Sequence, residues 1–361
     1  MTATALLGVA VAFLHGGNLV VLNAATHAQH VVLRHAGTGP VEWSGDGRLV
    51  SSGGSIAGGP RLPAATLAWA PTGERAAYVT KRGAVYTWSP RRGSRLLLPA
   101  SWGAQGVVWG TDGRLELGRA VCRVPCGRSR DVGIWVRTRN GRLRRVAALP
   151  DGGGIPNPIG VDPQGRALWW LWPNSSSIAA DGVALFANDK RIATTLMYDD
   201  YVDVCGRHVA LAVGRDRNSL HGKSIVFDGR NVSRDRSRSW VSPSCNASGE
   251  LVAAAAADNP DGPWGNEHRS LWQLLPARKR LTSPPPGWSD ESPTVLANGN
   301  VLFVRTRLTS RRVDGTWHST DHGTLELLVH GRVTPLADVT TSPSSMYYGH
   351  YAWPLRVAVK P

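Results

Sequence analysis

The sequence predicts an all-β fold, a β-propeller of seven or eight four-stranded blades, and three observations support this prediction. Gly (41) and Pro (24) are frequent, whereas Met (3) and Phe (4) are rare, a composition typical of many short strands joined by tight turns. A turn that ends on glycine recurs between apolar runs along the whole chain. The 361 residues, 42% of them hydrophobic, are enough to bury the core of one large repeat domain.

The recurring turn places its glycine at Gly47, Gly73, Gly113, Gly165, Gly206, Gly249 and Gly299. After the first interval, the spacing averages about 45 residues, which suits four short strands and their turns. Asp, Asn or Ser before Gly favours a tight reversal, because glycine readily adopts positive φ. The apolar runs that follow are typical of strands covered on both faces. A tandem of β-sandwiches is the alternative, and seven copies of one turn disfavour it.

We predict a single propeller domain over residues 1–361. Its approximate blades are 41–66, 67–105, 106–150, 157–198, 200–239, 241–284 and 290–340, with a closing blade formed by 346–361 and 5–36. The interval from Gly47 to Gly73 is short, so the first segment is either a short blade or a fragment. This choice decides between eight blades and seven.

The two chain ends are predicted to share one blade and so to close the ring. The hydrophobic stretch at residues 6–14 lacks the basic region and cleavage site of a signal peptide, and it is too short to span a membrane. Residues 9–36 resemble a blade without its first strand, and residues 355–359 would supply that strand. A shared blade removes free sheet edges.

The 15 tryptophans include Trp43, Trp69 and Trp109, which end inner strands and are interpreted as packing between blades. The even number of cysteines permits two disulfides and an oxidising compartment. Cys205 and Cys245 lie beside equivalent turns one repeat apart, so they could bridge neighbouring inner strands. Cys122 and Cys126 could close a small loop. A C-x3-C spacing without a second such pair disfavours zinc.

Several copies of the repeat resemble a known family. Residues 290–294 (Asp-Glu-Ser-Pro-Thr) followed by residues 298–303, the turn at residues 43–47, and the strand at residues 280–282 are similar to the repeats of TolB-like (WD40-like) β-propellers. The resemblance covers nearly the whole chain. It implies a propeller that interacts with proteins, although fold alone does not determine function.

No catalytic motif survives inspection, so an enzyme is not the favoured interpretation. No G-x-S-x-G pentapeptide occurs in the sequence, and residues 53–57 fail the pattern at the last position. The sequence therefore excludes a hydrolase domain of the prolyl oligopeptidase type. Residues 319–323 resemble an Asp-box turn, but the aromatic residue expected after it is replaced by Glu326. We interpret this segment as a turn.

Candidate ligand-binding residues lie where propeller loops are expected to face the central funnel. Acidic, amide and aromatic groups converging there could bind a divalent cation, a sugar or a peptide terminus. They are Gln105, Asn157, Asp199, Asp200, Trp240, Asp290, Glu291, Tyr347, Tyr348 and His350. No metal ligand set is predicted, and no cofactor other than such a cation. The alternative is that these groups cap turns and pair with nearby arginines.

The favoured function is a non-enzymatic, monomeric scaffold that binds a protein or a cell-surface polymer and is secreted or associated with the cell envelope. A carbohydrate-active or lyase-type propeller enzyme that uses the funnel is the first alternative. The net charge of +15 leaves a third, polyanion binding through Arg-rich loops. Because the basic residues are scattered, they are interpreted mainly as a solvated surface, and nucleic acid is not the expected partner.

Overall fold

A computed structural model of the chain shows an all-β protein and confirms the predicted β-propeller. The structure describes residues 9–36, 40–110, 112–122, 129–138, 140–150, 154–161, 168–173, 182–195, 201–205, 208–214, 219–260, 268–307, 311–313, 316–318, 322–340 and 357–361. The 3-10 helix that lies wholly within these ranges is Ala100–Trp102. None of their helices has the length and hydrophobicity needed to cross a bilayer.

The described residues form eight blades, seven with four antiparallel strands and one with three. Contacts between residues divide the chain into two compact units. The first comprises Met1–Arg34, Ala179–Gly182 and Thr195–Val359, and the second comprises His35–Ile178, Val183–Thr194 and Lys360–Pro361. Each unit is described by itself below, and folding as a single domain stays a prediction.

The first unit contains four blades. One joins both chain ends in the order β3 (Gln29–Leu33), β2 (Asn18–Asn23), β1 (Ala10–His15), β33 (Ala358–Val359). The next is β19 (Val202–Cys205), β20 (His208–Val213), β21 (Ser224–Phe227), β22 (Arg230–Asn231). Then follow β23 (Arg238–Cys245), β24 (Leu251–Ala257), β25 (Ser270–Leu275), β26 (Lys279–Arg280). The last is β27 (Trp288–Val295), β28 (Val301–Arg307), β31 (His322–Val329), β32 (Arg332–Thr340), with the hairpin β29 (Arg311–Val313) and β30 (Thr316–His318) inserted.

The second unit also contains four blades. The short one is β4 (Val41–Trp43), β5 (Val50–Ser52), β6 (Ser55–Ile56). It is followed by β7 (Ala64–Trp69), β8 (Ala76–Thr80), β9 (Val85–Ser89), β10 (Gly93–Leu98). The third is β11 (Ala104–Trp109), β12 (Leu115–Cys122), β13 (Ser129–Arg137), β14 (Leu143–Ala148). The fourth is β15 (Asn157–Val161), β16 (Leu168–Trp172), β17 (Val183–Ala187), β18 (Lys190–Thr195).

The shared blade confirms the predicted pairing of the chain ends. Val11 pairs with Val359 and Ala12 with Ala358 in antiparallel register. Phe13, on the same strand β1, is fully buried in a cluster that also contains Leu302 of the neighbouring blade. The hydrophobic start of the chain is therefore a core strand.

Sequence-predicted contacts between blades are partly confirmed. Cys205 and Cys245 lie at the ends of β19 and β23 with their Cα atoms 5.7 Å apart, a separation that a disulfide can bridge, and the disulfide itself stays a prediction. Cys126 and the side chain of Cys122 lie outside the described residues. Trp69 is buried between β4–β6 and its own blade, and its Nε1 donates to Ser51 Oγ at 2.9 Å.

The carboxyl group of Glu116 on β12 is buried without a hydrogen-bond partner among the described residues. It is 0% exposed, and neither of its oxygens accepts a hydrogen bond. Its register partners are Val108 and Val136. Desolvation raises the pKa of Glu116 well above 4.5; the carboxylate of Asp112 raises it further, and Arg114 opposes the shift.

We expect Phe13→Ala to lower the free energy of unfolding by about 3–5 kcal/mol, because it leaves a cavity in the core of the shared blade. Val31→Ala is the control, since Val31 on β3 is 53% exposed. That change should stay within about 0.5 kcal/mol. Chemical denaturation measures both, and equal small effects would show that β1 is not a core strand.

We expect Glu116→Gln to flatten the dependence of stability on pH. Because the folded pKa is raised, the folded state holds the proton to higher pH than the unfolded chain. The free energy of unfolding of the wild type therefore falls as pH rises above 4.5, by up to about 1.4 kcal/mol per pH unit. Denaturation at several pH values compares wild type, Glu116→Gln and the half-exposed control Glu74→Gln. Parallel wild-type and Glu116→Gln curves would contradict the assignment.

Candidate functional site

Two acidic members of the predicted funnel set, Asp290 and Glu291, lie inside strand β27 and form internal ion pairs. Asp290 is 0% exposed and accepts hydrogen bonds from Arg305 Nε at 2.7 Å and Nη2 at 3.0 Å. Glu291 accepts from Arg269 Nη1 at 3.2 Å and from the Ser289 hydroxyl. These bonds satisfy the charges that burial would otherwise make costly.

The ion pair between Arg269 and Glu291 also connects neighbouring blades. Arg269, 1% exposed, donates from Nη2 to Ser219 Oγ at 2.9 Å, and its backbone N–H donates to Ser289 Oγ. The segment that carries the TolB-like resemblance therefore has a structural role within the first unit.

The remaining described members of the set are also engaged inside their own units. Trp240 on β23 is fully buried and packs edge-on against Trp272 with ring centroids 5.8 Å apart. Gln105 lies within β11 and its Nε2 donates to the Ala120 carbonyl at 3.0 Å. Asn157 begins β15. Most of these residues thus lie within strands instead of on the loops before them.

Other members, namely Asp199, Asp200, Tyr347, Tyr348 and His350, fall outside the described residues. Ligand binding at the funnel set therefore stays a prediction.

A stronger candidate site arises in the second unit from the short blade β4–β6. Its outermost strand β6 has two residues, and the segment that follows contacts β6 through one isolated bridge, between Ser55 and Arg61. Ile56 N donates to the Pro60 carbonyl, and Leu62 N donates to the Gly54 carbonyl at 2.7 Å. This single bridge takes the place of the fourth strand that the other described blades have.

Part of the neighbouring blade β7–β10 is exposed to solvent beside the short blade. Tyr78, Tyr86 and Leu96 are register partners on β8, β9 and β10, so they form a row on one face. Ile56 of the short blade belongs to the cluster that covers Tyr78, which is 2% exposed. Leu96, at the far end of the row, is 59% exposed.

A pocket of about 720 Å³ occupies this uncovered region, a volume typical of small-molecule sites. Leu62, Ala64, Tyr86, Leu96 and Pro99 form much of its apolar wall. Its polar lining consists mainly of three cationic side chains and one hydroxyl, those of Arg61, Lys81, Arg82 and Thr80.

The three cations of the pocket are paired with no acidic side chain of the described residues. No carboxylate lines the pocket, and no ion pair within the described part of the chain involves Arg61, Lys81 or Arg82. Glu74 is the only acidic residue between Arg61 and Ala100 in the sequence. The pocket therefore combines an apolar wall with uncompensated positive charge.

The turn that carries Lys81 and Arg82 is held in place before any ligand arrives. Gly83 N donates to the Thr80 carbonyl at 2.8 Å, and Ala84 N donates to Thr80 Oγ1. Gly83 has φ +83°, and a Cβ there would lie 3.1 Å from the Ala104 carbonyl oxygen, so glycine is required. Ala104 N in turn donates to the Gly83 carbonyl at 3.1 Å, which anchors the turn on the next blade.

The sequence did not predict this pocket, although one of its features indicated an irregular blade. The short interval between Gly47 and Gly73 indicated a short blade, and a short blade implies an uncovered neighbour. The basic residues that line the pocket are twenty positions apart, and only the fold brings Arg61 to the turn at Lys81.

Comparisons with known proteins identify fold relatives only. No family model matches the chain, and no curated protein sequence matches it. An acylaminoacyl peptidase from Pyrococcus horikoshii is similar with a TM-score of 0.47 and 10% identity, over 93% of this chain and 54% of that one. The β-propeller domain of the Trilobed protease from Pyrococcus furiosus has a TM-score of 0.39 and 11% identity, over 76% and 98%. A putative TolB from Agrobacterium tumefaciens has a TM-score of 0.30 and 15% identity, over 94% and 92%.

The favoured function from the sequence, a non-enzymatic scaffold for a protein or envelope polymer, is wrong on this comparison. Similar structures are mostly those of peptidases, including acylaminoacyl peptidases, a puromycin hydrolase and a prolyl oligopeptidase. The chain spans about half the length of the acylaminoacyl peptidases. The likeness to a putative TolB and to an isolated propeller domain agrees with the resemblance seen in the sequence, and the recognition of a TolB-like β-propeller is confirmed.

Proposed function

We propose that this chain binds small amphipathic anions in the pocket beside its short blade. The observation that carries the proposal is the set of three basic side chains, without acidic partners, around an apolar pocket of about 720 Å³. A ligand with an apolar body and a negatively charged head matches both halves of the lining.

Two separate free-energy terms would contribute to such binding. The body of the ligand would cover Leu96 and the free part of Tyr86, and apolar burial contributes about 25 cal/mol per Å². The head would meet Arg61, Lys81 and Arg82, which are exposed, and charge-assisted hydrogen bonds to them would add to the affinity at low salt. Since the turn at Gly83 is already fixed, little ordering of the backbone is needed.

The proposal assigns no chemical step to the pocket. Its lining supplies cations, hydroxyls and apolar groups, and it contains no carboxylate, histidine or cysteine that could act as a general base or nucleophile. Cys205 and Cys245 are buried and within disulfide distance, which supports a secreted or periplasmic location, because disulfides persist in oxidising compartments.

Calorimetric titration with octyl sulfate, kept below its micelle concentration, tests the proposal. Octanol and inorganic sulfate are the matched ligands that lack the charge or the apolar body. We expect octyl sulfate to bind more tightly than either. Its affinity should fall as salt is added, because the head group contacts are screened.

Substitutions of the lining residues test whether octyl sulfate binds in this pocket. The triple change R61Q/K81Q/R82Q should weaken octyl sulfate at least about tenfold, which corresponds to 1.4 kcal/mol. The control R91Q/R92Q/R95Q removes the same charge from exposed positions of the same blade outside the pocket, and it should bind like the wild type. Equal affinity in all three proteins, or an equal loss in both variants, would refute a site in this pocket.

A further inference from the structure

The pocket carries more positive charge than a monoanion would neutralise. Arg61, Lys81 and Arg82 all line it, and no acidic side chain of the described residues is paired with them. A sulfate ester or a carboxylate would bring a single negative charge. A phosphomonoester carries about −1.5 to −2 near neutral pH and offers three strong acceptor oxygens.

The donors around the pocket also match a phosphate group. The two guanidinium groups are planar forks that suit phosphate oxygens, and the ammonium of Lys81 adds a compact point charge. Thr80 Oγ1 already accepts a hydrogen bond from Ala84 N, so its hydroxyl hydrogen is left to donate. Arginine, lysine and hydroxyl donors thus line the same pocket as the apolar wall.

We propose that the ligand of this pocket is the phosphomonoester of an apolar alcohol. Its phosphate binds among Arg61, Lys81 and Arg82, and its apolar part lies against Tyr86 and Leu96. This inference rests on the proposed function, since it names the chemical class of the anion that the same pocket binds.

Titrations with octyl phosphate and octyl sulfate between pH 5 and pH 7.5 test the inference. The second proton of a phosphomonoester dissociates with a pKa of about 6, so octyl phosphate gains its second charge in this range while octyl sulfate keeps one. We expect octyl phosphate to bind several-fold more tightly at pH 7.5 than at pH 5. No carboxyl or imidazole group lines the pocket, and octyl sulfate reports any titration elsewhere in the protein.

The double variant K81Q/R82Q keeps Arg61 but removes the other two charges that line the pocket, and R91Q/R92Q is its control. We expect K81Q/R82Q to lose most of the preference for octyl phosphate over octyl sulfate, whereas R91Q/R92Q should retain the preference. Thermal unfolding of each variant checks that the fold is intact. A wild-type protein that binds both ligands equally at pH 7.5, with no dependence on pH, would overturn the phosphomonoester and leave the proposed function standing. Failure to bind either ligand would refute both.

Two further probes distinguish the sources of such a group. Phenyl phosphate represents a soluble phosphomonoester, and phosphatidylcholine vesicles containing phosphatidic acid present a lipid headgroup. Binding of either probe in preference to inorganic phosphate supports the inference and identifies the source. Inorganic phosphate that binds as tightly as octyl phosphate would contradict the role of the apolar wall.

Discussion

A small antiparallel sheet that is apolar on both faces needs a neighbour on each face, and this packing of blade on blade is the constraint on which the rest of the structure depends. Strand β24 illustrates it, since Leu251 to Ala256 are all buried. Directed bonds then fix neighbouring blades within each unit. Asn246 Nδ2 donates to the Leu296 carbonyl, Val295 N donates to Ser244 Oγ, and Trp69 donates to Ser51.

The candidate site lies beside the blade β4–β6, which has three strands. Tyr78 of the neighbouring blade is buried in a cluster with Ile56 of this short blade, whereas Leu96 on the outer strand β10 is exposed. Exposed apolar surface beside a rigid turn is suited to bind a ligand. The positive charge of that turn favours an anionic ligand.

The sequence predicted features that depend on local turn chemistry and on hydrophobic runs. The spacing of the Gly turns predicted the blades, the apolar start of the chain predicted strand β1, and the equivalent turns predicted that Cys205 and Cys245 lie close together. The funnel set was less predictable, because spacing does not reveal whether Asp290 or Glu291 meets an arginine from another strand. The pocket depends on Arg61 and Lys81 meeting across two blades, and no local pattern encodes that approach.

A crystal structure of the protein with octyl phosphate would show directly where the ligand binds. We expect phosphate density within hydrogen-bond distance of Arg61, Lys81 or Arg82 and an alkyl chain against Leu96 and Tyr86. Ligand density at another position, with this pocket empty at a saturating concentration, would contradict it.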